Sequence, residues 1–460
     1  MLIYFLVESE STNNPLRICE RNWTIRKQEY RDSGDDEDST FTCISYTWGP
    51  VKVSSPFHNS YLVSDRTVPA LTAAIKARPD CKRFWIDAFC VPLEPAERTT
   101  TLASMGFIYS RATEVIIVLS PNAQLALSQM RVTDQIDINA LQALEKDEWA
   151  SRAWTYQEVV NSRTMFFTCF SSTDENAPSD DGSAGSLIPG ADFLNCLGYS
   201  LTRLPWTPLE RIERFPGLEA FDNVILDWRT AAYLNRSALQ IMVVMARRTQ
   251  QRDEDHFYAM IGALTTELPS LSASGNPCEE FMVDCEKKGD CSFIFSTAER
   301  EAKGRRWRPV NTGRLPPIFP WPLWGEKQPG HWEDGRFHLD QVILPQSGRP
   351  TDEIVRGVGK KMCETFGDES VSVEELIFRW LTRRGFKGSS SCVSLENGFF
   401  FPYKPIARPE TTTIMVSATL SWPFGAPGLV LEMHDQHAVY SAGIFIGIVD
   451  SKMGSSVTLD

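Results

Sequence analysis

The stretch "EVIIVLS", Glu114–Ser120, constrains this chain more than any other. Val115 to Leu119 are apolar without a polar alternate, and four of the five are β-branched. A strand built from them has no face to give to water, which is the pattern of an interior strand in a parallel sheet. The neighbouring segments fit that placement. "FTCISYTWGP" (Phe41–Pro50) is β-favouring and runs into a Gly-Pro stop, so it reads as a strand and its exit loop. "VPALTAAIKAR" (Val68–Arg78) reads as a helix with Leu71 and Ile75 on one face. "RFWIDAFCV" (Arg83–Val91) reads as a second strand. "PAERTTTLASMGFIYSRA" (Pro95–Ala112) reads as one helix, with Pro95 in its first turn and a stripe of Leu102, Met105, Ile108 or Tyr109, and Ala112. Strand and helix alternate over the first 170 residues, which predicts an α/β domain with a parallel sheet.

At roughly 100–200 residues per domain, 460 residues hold two or three domains. "DSGDDEDS" (residues 32–39) is expected to be an acidic, mobile loop. "SSTDENAPSDDGSAGS" (residues 171–186) is a polar linker composition. The expected plan is a first domain at 1–170, a flexible linker at 171–192, a helical extension at 193–270 and an accessory region at 271–460. The accessory region begins irregular and rich in Pro and Trp ("RLPPIFPWPLWGEKQPGHW"). It ends in β-strands ("GFFFPYKP", "TTIMVSATLSWPF", "GLVLEM", "HAVYSAGIFIGIVD"), so it is expected to be mixed α+β. No internal repeat is visible.

The net charge is −13, which repels phosphate backbones and argues against a nucleic-acid partner. "KGRRWR" (Lys303–Arg308) is too short to reverse that; it is a solvated turn or a small anion site. The apolar start "MLIYFLVESE" lacks a basic leader, and no run approaches the ~18 apolar residues of a membrane helix. Eleven scattered cysteines without a C-x-x-C pair suggest neither zinc nor disulfides, so a reducing, cytoplasmic setting is expected, with no membrane partner. Cys43 and Cys90 read as small hydrophobes on strands. His434 and His437 lack a third ligand and read as solvated loop residues, so no metal is expected. No Gly-rich dinucleotide fingerprint is present, which argues against a Rossmann dehydrogenase.

"SRAWTYQEV" (Ser151–Val159) pairs a tryptophan with a glutamate four residues later. If it is helical, each residue turns by about 100°. Trp149, Ala153, Tyr156 and Val160 then form the stripe that packs on the sheet. Glu158 faces the other way, toward solvent or a cleft, with Trp154 one turn before it. Residues alone leave two readings: an exposed ion-pair partner, or the acid of a site. The same choice stands at Asp87 (helix cap or site), Trp48-Gly49 (loop packing or ligand wall) and Arg152 (salt bridge or phosphate contact). All lie near the expected carboxyl ends of the parallel strands, where ligands bind in such sheets.

Four blocks in order resemble the fungal heterokaryon-incompatibility (HET) domain: "ISYTWGP", "RFWIDAFCV", "ERTTTLASMGFIYSRATEVIIVLS" and "WASRAWTYQEV". A fifth, "RRTQQRDEDHFYAMIGAL" (Arg247–Leu264), resembles a segment that commonly follows it. The chain departs from the family at Val91-Pro92-Leu93, where an Ile-Asn-Gln-like turn is usual, and at Thr101, where Gln is usual. The HET domain distantly resembles the Toll/interleukin receptor (TIR) domain, which implies a flavodoxin-like parallel sheet with flanking helices. Trp154 and Glu158 match the TIR W-x-x-x-E spacing, with Thr155 where that family has cysteine. The resemblance implies non-self recognition and regulated cell death, and an NAD-splitting site with Glu158 catalytic. Ser45, Tyr46, Trp48, Gly49, Asp87, Arg152, Trp154 and Gln157 are then the expected substrate-binding residues, with Tyr46 or Trp48 stacking on a base and Arg152 on a phosphate. NAD enters as substrate, with no bound cofactor. The alternative is a non-catalytic module that works by self-association, or a degenerate family member.

Overall fold

The computed structural model describes residues 2–10, 16–30, 40–58, 61–133, 135–170, 187–230, 232, 235–268, 276–310, 314–358, 371–408, 411–434, 437–450, 452 and 454–459. The expected loop at 32–39 and the linker stretch 171–186 lie outside them. The chain divides into two compact units, one of residues 1–233 with 265–271, the other of 234–264 with 272–460. The helical segment expected at 193–270 is thus shared between the two units. No helix among the described residues is long and apolar enough to cross a membrane.

The first unit is α/β. Its strands are β1 (Leu2–Ser9), β2 (Leu16–Ile18), β3 (Arg21–Glu29), β4 (Thr42–Tyr46), β5 (Lys52–Ser54), β6 (Leu62–Ser64), β7 (Arg83–Ile86), β8 (Glu114–Leu119), β9 (Met165–Cys169) and β10 (Ile188–Pro189). Eight of them form one sheet in the order β10-β9-β8-β4-β7-β1-β3-β2, and β5 and β6 pair as a separate hairpin. The centre is parallel: β4 lies between β7 and β8, and β9 follows β8. The flanks are antiparallel, β10 on one side and β1, β3 and β2 on the other. The β8 run is interior, as its composition requires; Val115 to Leu119 are all buried. Every residue of β4 is buried as well.

Two boundaries and one whole ladder differ from expectation. β7 stops at Ile86, and Asp87–Cys90 form a helical turn, α2, after α1 (Thr67–Ala77). Asp87 starts that turn by accepting the Ala88 N–H at its Oδ1 (2.7 Å), so Cys90 sits on a helix and not on a strand. The long helix after Pro95 breaks at Ser104 into α3 (Pro95–Ala103) and α4 (Met105–Arg111). The N-terminal β1–β3 ladder had no counterpart in the sequence reading.

After β8 come α5 (Gln124–Val132), α6 (Ile138–Leu144) and a 3₁₀ turn, Trp149–Ser151, leading into α7 (Ala153–Val160). Buried Asp147 staples this turn to the sheet. Its Oδ2 accepts from Ser120 N (2.7 Å), just past β8, and its Oδ1 from Trp149 N (2.8 Å). Further helices α8 (Gly190–Thr202), α9 (Pro208–Arg214) and α10 (Pro216–Thr230) follow. α10 closes over α7: Tyr156 OH donates to Asp227 Oδ2 (2.6 Å) and Trp228 Nε1 to the Ser162 carbonyl (2.8 Å).

The second unit contains α11 (Ala238–Met245), α12 (Asp253–Leu264), α13 (Pro277–Lys288) and a helix at Val373–Arg383. Its sheet is antiparallel, in the order β11-β12-β15-β16-β17-β14-β13, with β18 paired to β12. The members are β11 (Gly330–Glu333), β12 (Arg336–Ile343), β13 (Val393–Leu395), β14 (Gly398–Pro402), β15 (Thr412–Ser417), β16 (Gly425–His434), β17 (His437–Gly447) and β18 (Ser455–Leu459). Ile343, Leu395, Phe400, Ile414, Val416, Val430 and Phe445 form a core on it. His434 and His437 are the last cross-strand pair of the β16–β17 hairpin, and no metal-holding group occurs among the described residues.

Replacing Asp147 with Ala orphans two backbone donors, one buried and one part-buried. It should destabilise the first unit by about 3 kcal/mol. Urea unfolding checks this; a loss under about 1 kcal/mol would mean the staple does not hold the turn.

Candidate functional site

The carboxyl ends of β4 and β7 and the body of α7 bring a small polar cluster together inside the first unit. It begins with Ser45, near the end of β4 and only 1% exposed. The Ser45 hydroxyl donates to Glu158 Oε2 (2.5 Å) and accepts from the Trp149 indole N–H (2.8 Å). A serine hydroxyl has one proton to give, and with the Trp149 N–H on its oxygen that proton goes to the Glu158 carboxyl. Trp149 is fixed in turn by the Asp147 staple and by Phe167 and Phe221, with ring centres 5.9 and 5.5 Å away.

Glu158 is only 5% exposed. This corrects the expectation that it faces solvent or a cleft and closes the surface ion-pair reading. The helical wheel assumed one covered face. In the fold α7 packs on β4, α4 and α10 together, so Thr155 to Val160 are all buried. Burial raises the Glu158 carboxyl to about 8, against a lowering by the Ser45 hydrogen bond; Asp87 adds to the rise and Arg152 opposes it. Asp87, at the start of α2, is raised to about 6, again mainly by burial. It accepts the Ala88 N–H and the Trp48 indole N–H (2.9 Å). Two carboxyl groups are thereby set apart in acidity by their surroundings.

The other expected residues divide. Trp48 is half-buried, and Arg152, just before α7, is partly buried and acts on both carboxyl groups. Tyr46 is not available for stacking: it is buried, with its hydroxyl against Thr67 Oγ1 (2.8 Å). Gly49 serves packing, since its N–H donates to Ser64 Oγ (2.8 Å) and a Cβ there would lie 2.5 Å from Asp65 Oδ1. Trp154 is half-buried one turn before Glu158. Gln157 is fully buried but directs its amide at Met105 Sδ (4.0 Å) on α4, leaving Oε1 without a partner. Sequence reasoning missed Trp149 as a functional group. Its place on the apolar stripe hid the indole N–H that holds Ser45. It also missed Tyr109, whose phenol is made a weaker acid first by burial and then by the nearby Glu158 carboxyl.

Residues 41–142 match the family described as Heterokaryon incompatibility protein (HET), so the chain carries a HET domain there. The chain is also similar to the vegetative incompatibility protein HET-E-1 of Podospora anserina, at 22% identity over 361 residues. That alignment takes in 75% of this chain and 23% of the relative, so the chain spans about a quarter of that protein. No solved structure matches. Trp149 and Glu158 lie beyond the matched residues, while Ser45, Trp48 and Asp87 lie within them.

The raised Glu158 carboxyl sets a pH dependence of stability. Its value is about 4.5 unfolded and about 8 folded, so the folded state holds the extra proton between them. That contribution is complete below about 4.5 and is lost as pH rises through about 8, at up to about 1.4 kcal/mol per pH unit. Asp87 adds a smaller part between about 4 and about 6. Thermal unfolding should show the wild type weakening from pH 5 to 8, with Glu158→Gln nearly level above pH 6. Parallel curves for the two proteins would refute the assignment.

Proposed function

With residues 41–142 a HET domain, we propose that this protein acts in heterokaryon incompatibility, and that its first unit is a TIR-like NAD glycohydrolase centred on Glu158. The observation that carries the reading is the buried Glu158 carboxyl, held by Ser45 at the carboxyl ends of parallel strands. Two others support it. The parallel strands run β7-β4-β8-β9, second-first-third-fourth in chain order, an order consistent with a flavodoxin-like sheet, in which ligands bind at the strand ends. The W-x-x-x-E spacing of Trp154 and Glu158 lies on one helix.

The chemistry follows from charge. Breaking the bond from ribose C1′ to the nicotinamide nitrogen sends the electron pair to the departing ring, which leaves neutral. C1′ becomes oxocarbenium-like, and water then adds there and releases a proton. A carboxylate facing the ribose stabilises that state. Glu158 rests protonated near neutral pH. A nicotinamide cation beside it favours ionisation, so substrate draws out the reactive form. Ionised Asp87 adds negative potential, and Trp48 and Ala88 fix its orientation.

A second reading is favoured by the β5–β6 hairpin, which exposes Val51, Val53 and Leu62 at 54%, 40% and 52%. Val51 and Val53 lie on one face of the hairpin and Leu62 on the other, and these exposed apolar residues are taken as association contacts. On that reading the unit works by self-assembly, with or without turnover.

Nicotinamide release from NAD⁺ tests the primary reading. Glu158→Gln should lower kcat by about a hundredfold or more, leaving the fold intact. Asp87→Asn should shift the rise of kcat with pH to lower pH, because removing its charge makes Glu158 a stronger acid. Turnover by Glu158→Gln at the wild-type rate would sink the assignment. Concentration-dependent assembly with no release from the wild type would favour the second reading.

A further inference from the structure

The second unit holds a cleft of about 480 Å³, the size of a small-molecule site. One wall is an edge of the antiparallel sheet. Residues 346–348 run along β13: Ser347 bridges to Leu395, the Glu396 N–H donates to the Gln346 carbonyl (3.1 Å) and the Gly348 N–H to the Ser394 carbonyl (3.3 Å). Glycine suits that close approach, since a Cβ at 348 would lie 2.7 Å from Glu396 Cγ. The added segment delivers Arg349 and Pro350 to the cleft. Ser394 and Phe399 are a cross-strand pair of β13 and β14, so they stand side by side on one face, and both line the cleft. Another wall is the first turn of the helix Val373–Arg383, which supplies Val373 and Glu374.

Glu374 is out of place on that helix. Ile377 and Leu381, three and seven residues on, are both buried. Position 374 therefore continues the apolar stripe, where an apolar residue is expected. The chain puts a partly buried carboxylate there instead. Arg349, in the same cleft, is exposed. Neither side chain has a hydrogen-bond or ion-pair partner among the described residues. Two opposite charges thus line one cleft without meeting, beside the apolar surface of Pro350, Val355, Val373 and Phe399.

We propose that this cleft binds a small zwitterion with an apolar body, a free amino acid such as leucine or a dipeptide of that kind. Its carboxylate pairs with Arg349, its ammonium with Glu374, and its side chain covers Val355, Val373 and Phe399. A simple anion would meet Arg349 but bring a like charge to Glu374. A simple cation would reverse the fault. A neutral apolar molecule would cut Glu374 off from water and give it no partner. A zwitterion neutralises both charges with charge-assisted hydrogen bonds. The site lies wholly in the second unit and stands apart from the proposed hydrolysis.

Isothermal titration calorimetry of the full chain with leucine and with leucyl-leucine tests this. At least one should bind saturably in the millimolar range or tighter, and which one binds tells a free amino acid from a dipeptide. Its affinity should fall about tenfold or more in Arg349→Gln and in Glu374→Gln. Acetylating its amino group should weaken binding to the wild type as much, with no further loss in Glu374→Gln. Amidating its carboxyl group should do the same with respect to Arg349→Gln. Ser394→Phe fills the cleft from an exposed position and removes no charge, so it should abolish binding. Circular dichroism checks that each variant is folded. Binding of neither ligand to the wild type overturns the site, as does undiminished affinity in either charge variant or in Ser394→Phe.

Discussion

The hydrogen bond from Ser45 to Glu158 is the contact on which the first unit turns. A carboxyl group removed from water needs a donor, and a sheet interior supplies few. Here the donor is a side chain on the central strand. Meeting it requires α7 to lie across the end of β4, and the Asp147 staple and α10 put it there. Fold and site are therefore one problem. The strand order fixes where Ser45 emerges, and the helix packing fixes what it meets.

The parallel core was legible because its strands have nothing polar to alternate. β4, β8 and α1 stand close to where the residues put them. The flanking ladder was not legible. β3, "RNWTIRKQE", is mostly polar or charged and has one face against water. That pattern resembles a surface segment until its partner is known. β1 was weighed as a leader and not as a strand. The break at Ser104 carries neither Gly nor Pro to announce it. In the second unit the β-runs were readable, since β14, β16 and β17 have long apolar stretches bounded by Gly, Pro and Trp.

The site was half legible. Residue type and spacing left Glu158, Asp87, Trp48 and Arg152 open between structural and site roles, the family resemblance singled them out, and the fold brings them together. Their environment could not be read. A helical wheel sees one helix against one surface, whereas α7 is covered on several sides, and that turns a supposed surface charge into a buried acid. Tyr46 and Gln157 were misjudged for a related reason. Tyr46 was expected to stack its ring on a base and Gln157 to touch substrate, but Tyr46 is buried with its hydroxyl on Thr67 and the Gln157 amide faces Met105. Long-range packing partners of this kind leave no local pattern in the chain.

Trp149 has a consequence for observation. Its indole N–H is one bond from the Ser45 hydroxyl and two from the Glu158 carboxyl, and its ring is wholly shielded from solvent. Indole absorption and emission respond to the field along the ring. A proton leaving Glu158 places a full negative charge at the end of that short relay. The fold has thus wired a chromophore to the acid, and the near-ultraviolet signal of one tryptophan among thirteen carries the ionisation of the site.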